Sequence, residues 1–299
     1  MTTNASDGWE ARTGPKPAGL DTTSGPADDH ILVFTRVVAA VVVGILFTAW
    51  FALYLHPGET DHRFAWTISS RMTAMLMGAG YGSAILFYVR VLLGRRWHRV
   101  ALGFIPTTVF TWLLLAATVL HWDKFRHGSL PFRLWVWIYA ITPILVPAVW
   151  LLNRPRDPGT PESADAVLAR PTRAVLVAAG ILLLAVAAAM FLRPTALISA
   201  WPWPLTPLTA RAVAGFIALP GMAWLAIAVD GRWSAGRVAV QTVALGVILL
   251  IGAVTRAWSE FDHSNVLSYL YVAGLAGTLV GLAALYALEE RAVARGRPQ

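Results

Sequence analysis

The sequence predicts an all-α polytopic membrane bundle: eight transmembrane helices in two parallel four-helix repeats. Three observations carry that prediction. Of 299 residues, 57% are hydrophobic and 13% charged, with mean hydropathy +0.60. That is more apolar surface than one soluble core of this length hides. Eight apolar runs follow one another, each roughly 18 to 25 residues and so able to cross about 30 Å of hydrocarbon as a helix. Finally, Leu120-His121-Trp122-Asp123-Lys124-Phe125-Arg126-His127 returns as Ala257-Trp258-Ser259-Glu260-Phe261-Asp262-His263, so that Trp122, Phe125 and His127 match Trp258, Phe261 and His263 at a spacing of 136.

The runs cover residues 31–55, 72–93, 100–120, 134–152, 174–192, 212–229, 238–255 and 267–288. Helix is forced on each, because a backbone in lipid must satisfy its own hydrogen bonds. Residues 1–30 are rich in Asp, Thr, Gly and Pro and read as a disordered cytoplasmic tail. They lack the positive start and apolar core of a cleavable signal peptide. The first membrane repeat is then 31–152, the linker 153–173, the second repeat 174–288 and a second tail 289–299. The linker, with Arg154, Pro155, Arg156, Asp157, Pro158, Gly159 and Pro161, is the longest polar stretch after the N-terminal tail.

Of the 24 Lys and Arg, 14 fall in segments on the side of the termini, 8 on the other side, and Arg36 and Arg90 lie within runs. The excess places both termini in the cytoplasm of a bacterial cell. The same distribution accounts for the net charge of +8 without nucleic acid, since no basic stripe with interleaved aromatics remains.

The spacing of 136 also carries Trp97 onto Trp233 and Leu113-Leu114 onto Leu249-Leu250. Four crossings per copy leave both copies the same way up, which predicts parallel repeats about an axis along the membrane normal. Arg71 and Arg211, each behind a Trp and a Thr at a helix mouth, match only at a spacing of 140, through a gap. The stretches Trp201-Pro202-Trp203-Pro204-Leu205-Thr206-Pro207-Leu208-Thr209-Ala210-Arg211, Phe64-Ala65-Trp66-Thr67-Ile68 and Leu120-His121-Trp122-Asp123-Lys124-Phe125 resemble a family of uncharacterised multi-pass membrane proteins from actinomycete-type bacteria. The resemblance implies a topology and brings no activity.

Chemistry is sparsely marked. With no cysteine, disulfides, thiol catalysis and Cys-ligated metals are excluded. There is no Gly-x-Ser-x-Gly, Walker sequence or His-Glu-x-x-His. Gly78-x-Gly80-x-Gly82 and Gly274, Gly277 and Gly281 lie inside spanning segments, where small faces serve close helix packing. Five histidines, His56, His62, His121, His127 and His263, gather at the outer ends with Glu59, Asp61, Asp123, Glu260 and Asp262. No pair has the i, i+4 spacing of helical metal ligands, so metal and cofactor are left unknown and solvated polar loops are the plainer account. The candidate ligand-binding residues are Trp122, His127, Trp258, His263, Arg71 and Arg211, an aromatic and titratable mouth; an interfacial aromatic belt is the competing account. Opposite charges in the two copies predict salt bridges from Lys124 to Glu260 and from Arg126 to Asp262. Arg36 and Arg90 are expected to snorkel.

Three functions fit these residues. The first is binding or transport of a small or amphipathic solute at an outward-facing site between the repeats. Another is a structural or accessory membrane subunit; the last is a haem- or metal-dependent membrane enzyme using the outer histidines. Expected partners are the lipid bilayer, a membrane-protein partner or a second copy of the chain, and no nucleic acid.

Overall fold

A computed structural model describes Met1, residues 28–163 and residues 165–296. The tail predicted over 1–30 thus lies mostly outside the described residues. The described chain is all-α, with eight helices long and apolar enough to span a membrane: α1 Val33–Leu55, α2 Arg71–Leu93, α3 His98–Leu120, α4 Leu130–Arg156, α5 Arg170–Leu192, α6 Pro207–Asp230, α7 Trp233–Glu260 and α8 Val266–Arg295. Crossings alternate. One face therefore holds the Trp122 and Trp258 turns (the rim face, expected outside), and the other holds the segment from Asp28 and the 157–169 connection (the strap face).

Several helices begin earlier than the apolar runs do, because caps rather than hydrophobicity start them. Ser70 accepts from the Thr73 amide to open α2, and Ser129 accepts from Phe132 to open α4. At α6, Thr206 and Thr209 form a reciprocal capping box with Pro207 at the first helical position. Gly231, at φ 79°, closes α6 in the left-handed conformation that glycine enters without a Cβ penalty. The last turn of α1, Phe51–Leu55, is π-helical. Beside it a Cβ on Gly78 would lie 2.7 Å from the Tyr54 nitrogen, so the bare glycine lets α1 and α2 touch backbone to backbone.

Burial ranks the helices. In α2 and α6, 50% and 61% of the most apolar window is buried, against 22% in α1 and α5 and 6% in α8. α2 and α6 form the centre. α2 packs on α1 and α7, and α6 on α5 and α3, while α4 covers α3 and α8 covers α7. Where α2 meets α6, a Cβ on Gly80 would stand 2.3 Å from the Phe216 ring. Tyr81 and Phe110 meet that ring edge-on at 5.1 and 4.8 Å, and the Tyr81 and Tyr139 hydroxyls bond at 2.8 Å. Packed aromatics thus close the middle of the bundle. The glycines of α2 do serve packing; Gly274, Gly277 and Gly281 of α8 have no neighbour within 4 Å of where a Cβ would be.

Neither predicted salt bridge forms. Lys124 pairs with its neighbour Asp123 at 2.8 Å, and Asp262 accepts from Ser264. Glu260 instead accepts from Ser70 Oγ (2.8 Å) and from the amides of Arg71 (3.0 Å) and Met72 (3.0 Å). The free N–H groups of a helix start satisfy a carboxylate better than one mobile ammonium does. Arg36 donates to the carbonyls of Leu92 (3.2 Å) and Gly94 (2.7 Å) at the end of α2. Arg90 reaches Gln241 at 3.3 Å.

Candidate functional site

Each rim turn is made the same way. After α3, His121 leaves helical geometry, Trp122–Lys124 form a 3-10 turn, and Phe125 folds inward to 4% exposure. After the regular part of α7, Ala257 does the same, Trp258–Glu260 form the turn and Phe261 is again 4% exposed. His127 donates from Nε2 to the Trp122 carbonyl (2.9 Å), and His263 to that of Trp258 (3.1 Å). Their rings lie 5.3 and 5.0 Å from the indoles. The Arg126 amide donates to the Ala65 carbonyl (3.1 Å) and the Asp262 amide to that of Pro202 (2.8 Å). Each turn is thereby pinned to the loop that carries a buried tryptophan, Trp66 or Trp203.

Polar contacts sort the six candidate residues into two sets. Arg211 donates from Nε to the Phe191 carbonyl (3.0 Å) and from Nη1 to His121 Nε2 (2.6 Å), beside Trp122 and His127. Arg71 donates to the Arg256 carbonyl (3.3 Å), and its amide meets Glu260, beside Trp258 and His263. An arginine from the far half of the chain therefore joins each turn. His121 accepts from Arg211, so its imidazole is neutral there. Partial burial first, and then the Arg211 charge, hold its pKa below the usual histidine value. Trp122, at 47% exposure, and His127 stand open on the rim.

The outer histidines stay dispersed. His56 faces the Phe51 carbonyl, His62 pairs with Asp61, and the other three have the partners given above. No cluster of three or more His, Cys, Asp or Glu able to hold a metal occurs among the described residues.

The opposite face holds a polar network that composition and motifs left unmarked. Asp29 accepts from the His98 amide (3.0 Å) and from His98 Nδ1 (2.5 Å), while the Trp97 amide donates to the Asp29 carbonyl (3.2 Å). Asp165 likewise accepts from the Ser234 amide (2.9 Å) and hydroxyl (2.5 Å), and the Trp233 amide donates to the Ala166 carbonyl (2.9 Å). The connection between halves is held rather than loose: Ala166 and Leu168 are buried, and Arg232 bridges Asp157 and Asp230 at 2.8 and 2.7 Å. The spacing of 136 that joins Trp97 to Trp233 joins Asp29 to Asp165 as well, and was the available signal.

Two grooves of about 370 and 320 Å³ open on the periphery. The first is lined by Phe47, Thr48, Phe51, Ala52 and Arg63 on the rim side. The second lies between α3 and α6, with Ile105, Met222 and Leu225 in its wall and Asp230 at its strap end. No protein-family model, curated protein or solved structure matches the chain.

Proposed function

We propose that the chain is a multi-pass protein of the bacterial cytoplasmic membrane that binds an amphipathic solute with an anionic head at its outward rim. The observation that carries this reading is that an arginine of the other half reaches the residues flanking each Trp-His turn: Arg211 meets His121, and Arg71 meets Glu260 through its amide and the Arg256 carbonyl through its guanidinium. A tryptophan at the lipid boundary takes the apolar part of such a ligand, and the arginine its charge. Packing of Tyr81, Phe110, Phe216 and Tyr139 at mid-bundle supports binding over passage through the centre. Arg211 and Arg71 also hold the rim together, so the site belongs to the rigid part of the molecule.

The same reading makes the two halves parallel repeats, with both termini cytoplasmic, in keeping with the actinomycete-type resemblance. Its support is the recurrence at 136 of whole devices: the caps Ser70 and Thr206, the turn anchors Phe125 and Phe261, and the clamps Asp29 and Asp165. By that register Arg71 matches Pro207, not Arg211; the two arginines came to the rim separately.

The test is ligand retention. Protein extracted into nanodiscs with native lipids is stripped and its bound molecules identified by mass spectrometry. Replacing His127 and His263 together by Ala, and separately Trp122 and Trp258, should release the bound species while the fold persists; retention in both double variants sinks the site. A second reading, an accessory subunit, is favoured by α8, whose Gly274, Gly277 and Gly281 face open space. Co-purification of a stoichiometric membrane partner that is lost on replacing Gly277 by Leu would select it.

A further inference from the structure

Near the strap end, α2, α7 and α8 are joined by one chain of side-chain hydrogen bonds. Arg90 Nη2 donates to Gln241 Oε1 at 3.3 Å, and Gln241 Nε2 donates to the Tyr286 hydroxyl at 2.9 Å. Arg237 donates from Nε to the same hydroxyl (3.0 Å) and from Nη2 to Glu290 (3.0 Å), with its guanidinium over the Tyr286 ring. Arg237 and Glu290 neutralise each other, and Trp233 Nε1 donates to the same carboxylate at 2.8 Å. Arg90 is left over. A guanidinium has five N–H donors; among the described residues Arg90 commits one of them, to a neutral acceptor, and meets no carboxylate.

At the spacing of 136, Arg90 matches Ala226, Arg237 matches Ala101, Gln241 matches Ile105 and Tyr286 matches Trp150. Ile105 and Ala226 line the groove of about 320 Å³ between α3 and α6, whose wall is apolar up to Asp230. The same place between α2 and α7 therefore carries a guanidinium and an amide where the first half has an open apolar groove. Packing of the helices does not require polar groups there. Arg90 is exposed, about one turn from the end of α2, which sets its charge at headgroup level on the outside of the bundle.

We propose that Arg90, Gln241 and Arg237 hold the headgroup of one anionic phospholipid from the leaflet on the strap side. Within the network two guanidiniums face one carboxylate, and the single positive charge left matches one phosphodiester. The uncommitted donors of Arg90 suit the oxygens of a phosphate, which a guanidinium binds in pairs. Gln241 fixes the position of that guanidinium, and Glu290 fixes Arg237 beside it. The acyl chains run toward the rim along the same face of α7, past Ile248, two turns on from Gln241 and 52% exposed. Basic groups between spanning helices are the usual seat of such headgroups. The site lies on the membrane face opposite the rim and is separate from the solute site proposed there.

The test is lipid selectivity of the full chain in nanodiscs of phosphatidylcholine with a rising fraction of phosphatidylglycerol, the lipid retained by each chain being counted by native mass spectrometry. One phosphatidylglycerol per chain should be held in preference to phosphatidylcholine. Arg90→Gln should weaken its retention about fivefold, and Arg90→Lys should restore part of the loss. Arg170→Gln, at an exposed arginine opening α5 on the same face, should leave retention unchanged. Wild-type protein that holds the two lipids equally overturns the proposal, even should a variant fail to fold. Equal weakening by Arg90→Gln and Arg170→Gln does so too, since it marks a diffuse basic surface. Glycerol phosphate bound from solution in pure phosphatidylcholine discs, and lost in Arg90→Gln, would replace the lipid by a soluble phosphate and overturn it as well.

Discussion

Glu260 offers the most direct test of how the halves are fastened. Its carboxylate receives the Ser70 hydroxyl and the amides of Arg71 and Met72, at 2.8, 3.0 and 3.0 Å, so Glu260→Ala leaves two amides at the start of α2 without acceptors and removes a negative charge from the positive end of a helix. A hydrogen bond to a charged group contributes about 1.5 to 3 kcal/mol, and a helix-end charge about 0.5 more. Water reaches this half-exposed carboxylate and replaces part of that, so the net loss expected is about 2 to 3 kcal/mol. Glu260→Gln keeps one acceptor oxygen and should lose about 1 kcal/mol. Lys124→Ala, at the matching position of the other turn, should be silent within error, because its partner is a solvated neighbour. The assay is equilibrium unfolding in mixed micelles with increasing SDS, followed by helical circular dichroism. A cycle with Ser70→Ala should show coupling of at least about 0.5 kcal/mol. Equal losses for Glu260→Ala and Lys124→Ala, or for Glu260→Ala and Glu260→Gln, would refute the capping argument.

Four further outcomes are open to measurement. Gly80→Ala should destabilise by about 1 to 3 kcal/mol, since Phe216 is wedged by Tyr81 and Phe110 and has no room to yield. Gly277→Ala, facing open space, should be neutral or stabilise by up to about 1 kcal/mol. Trp203 Nε1 donates to Thr73 at 2.9 Å, whereas the buried Trp66 Nε1 has no partner. Trp203→Phe should therefore cost about 1 kcal/mol more than Trp66→Phe in SDS titration. Glu162, held down to about 2 chiefly by Arg99, has a folded pKa below its unfolded one. Its contribution is thus complete above about pH 4.5 and lost as pH falls toward 2. Exchange protection of 157–163 should fall across that window, and Arg99→Gln should flatten the change.

The eight crossings were legible because hydrocarbon thickness imposes a length and a composition together, and no local exception escapes either. Helix ends were less so. α6 begins at Pro207, not near 212, since Thr206, Pro207 and Thr209 form a start signal that hydropathy does not weigh. The salt bridges from Lys124 and Arg126 failed for a related reason. Matching charges by position ignores that a helix start is itself a positive group, and that Asp123 lies nearer to Lys124 than any residue of the other half. The rim turns were readable from Trp122 and Trp258, but the role of Phe125 and Phe261 as inward anchors needed the fold. His98 was invisible, because its partners stand 69 residues before it and 64 after it, and nothing local distinguishes it from a solvated histidine.

The contact between Gly80 and Phe216 commits the two halves to one another. These residues occupy matching positions, 136 apart, and meet face to face at the centre. Two copies of the first half would bring glycine against glycine and leave a hole; two of the second would drive phenylalanine into phenylalanine. If the halves are the repeats proposed above, severed halves expressed together should find each other and form no mixed population of like pairs.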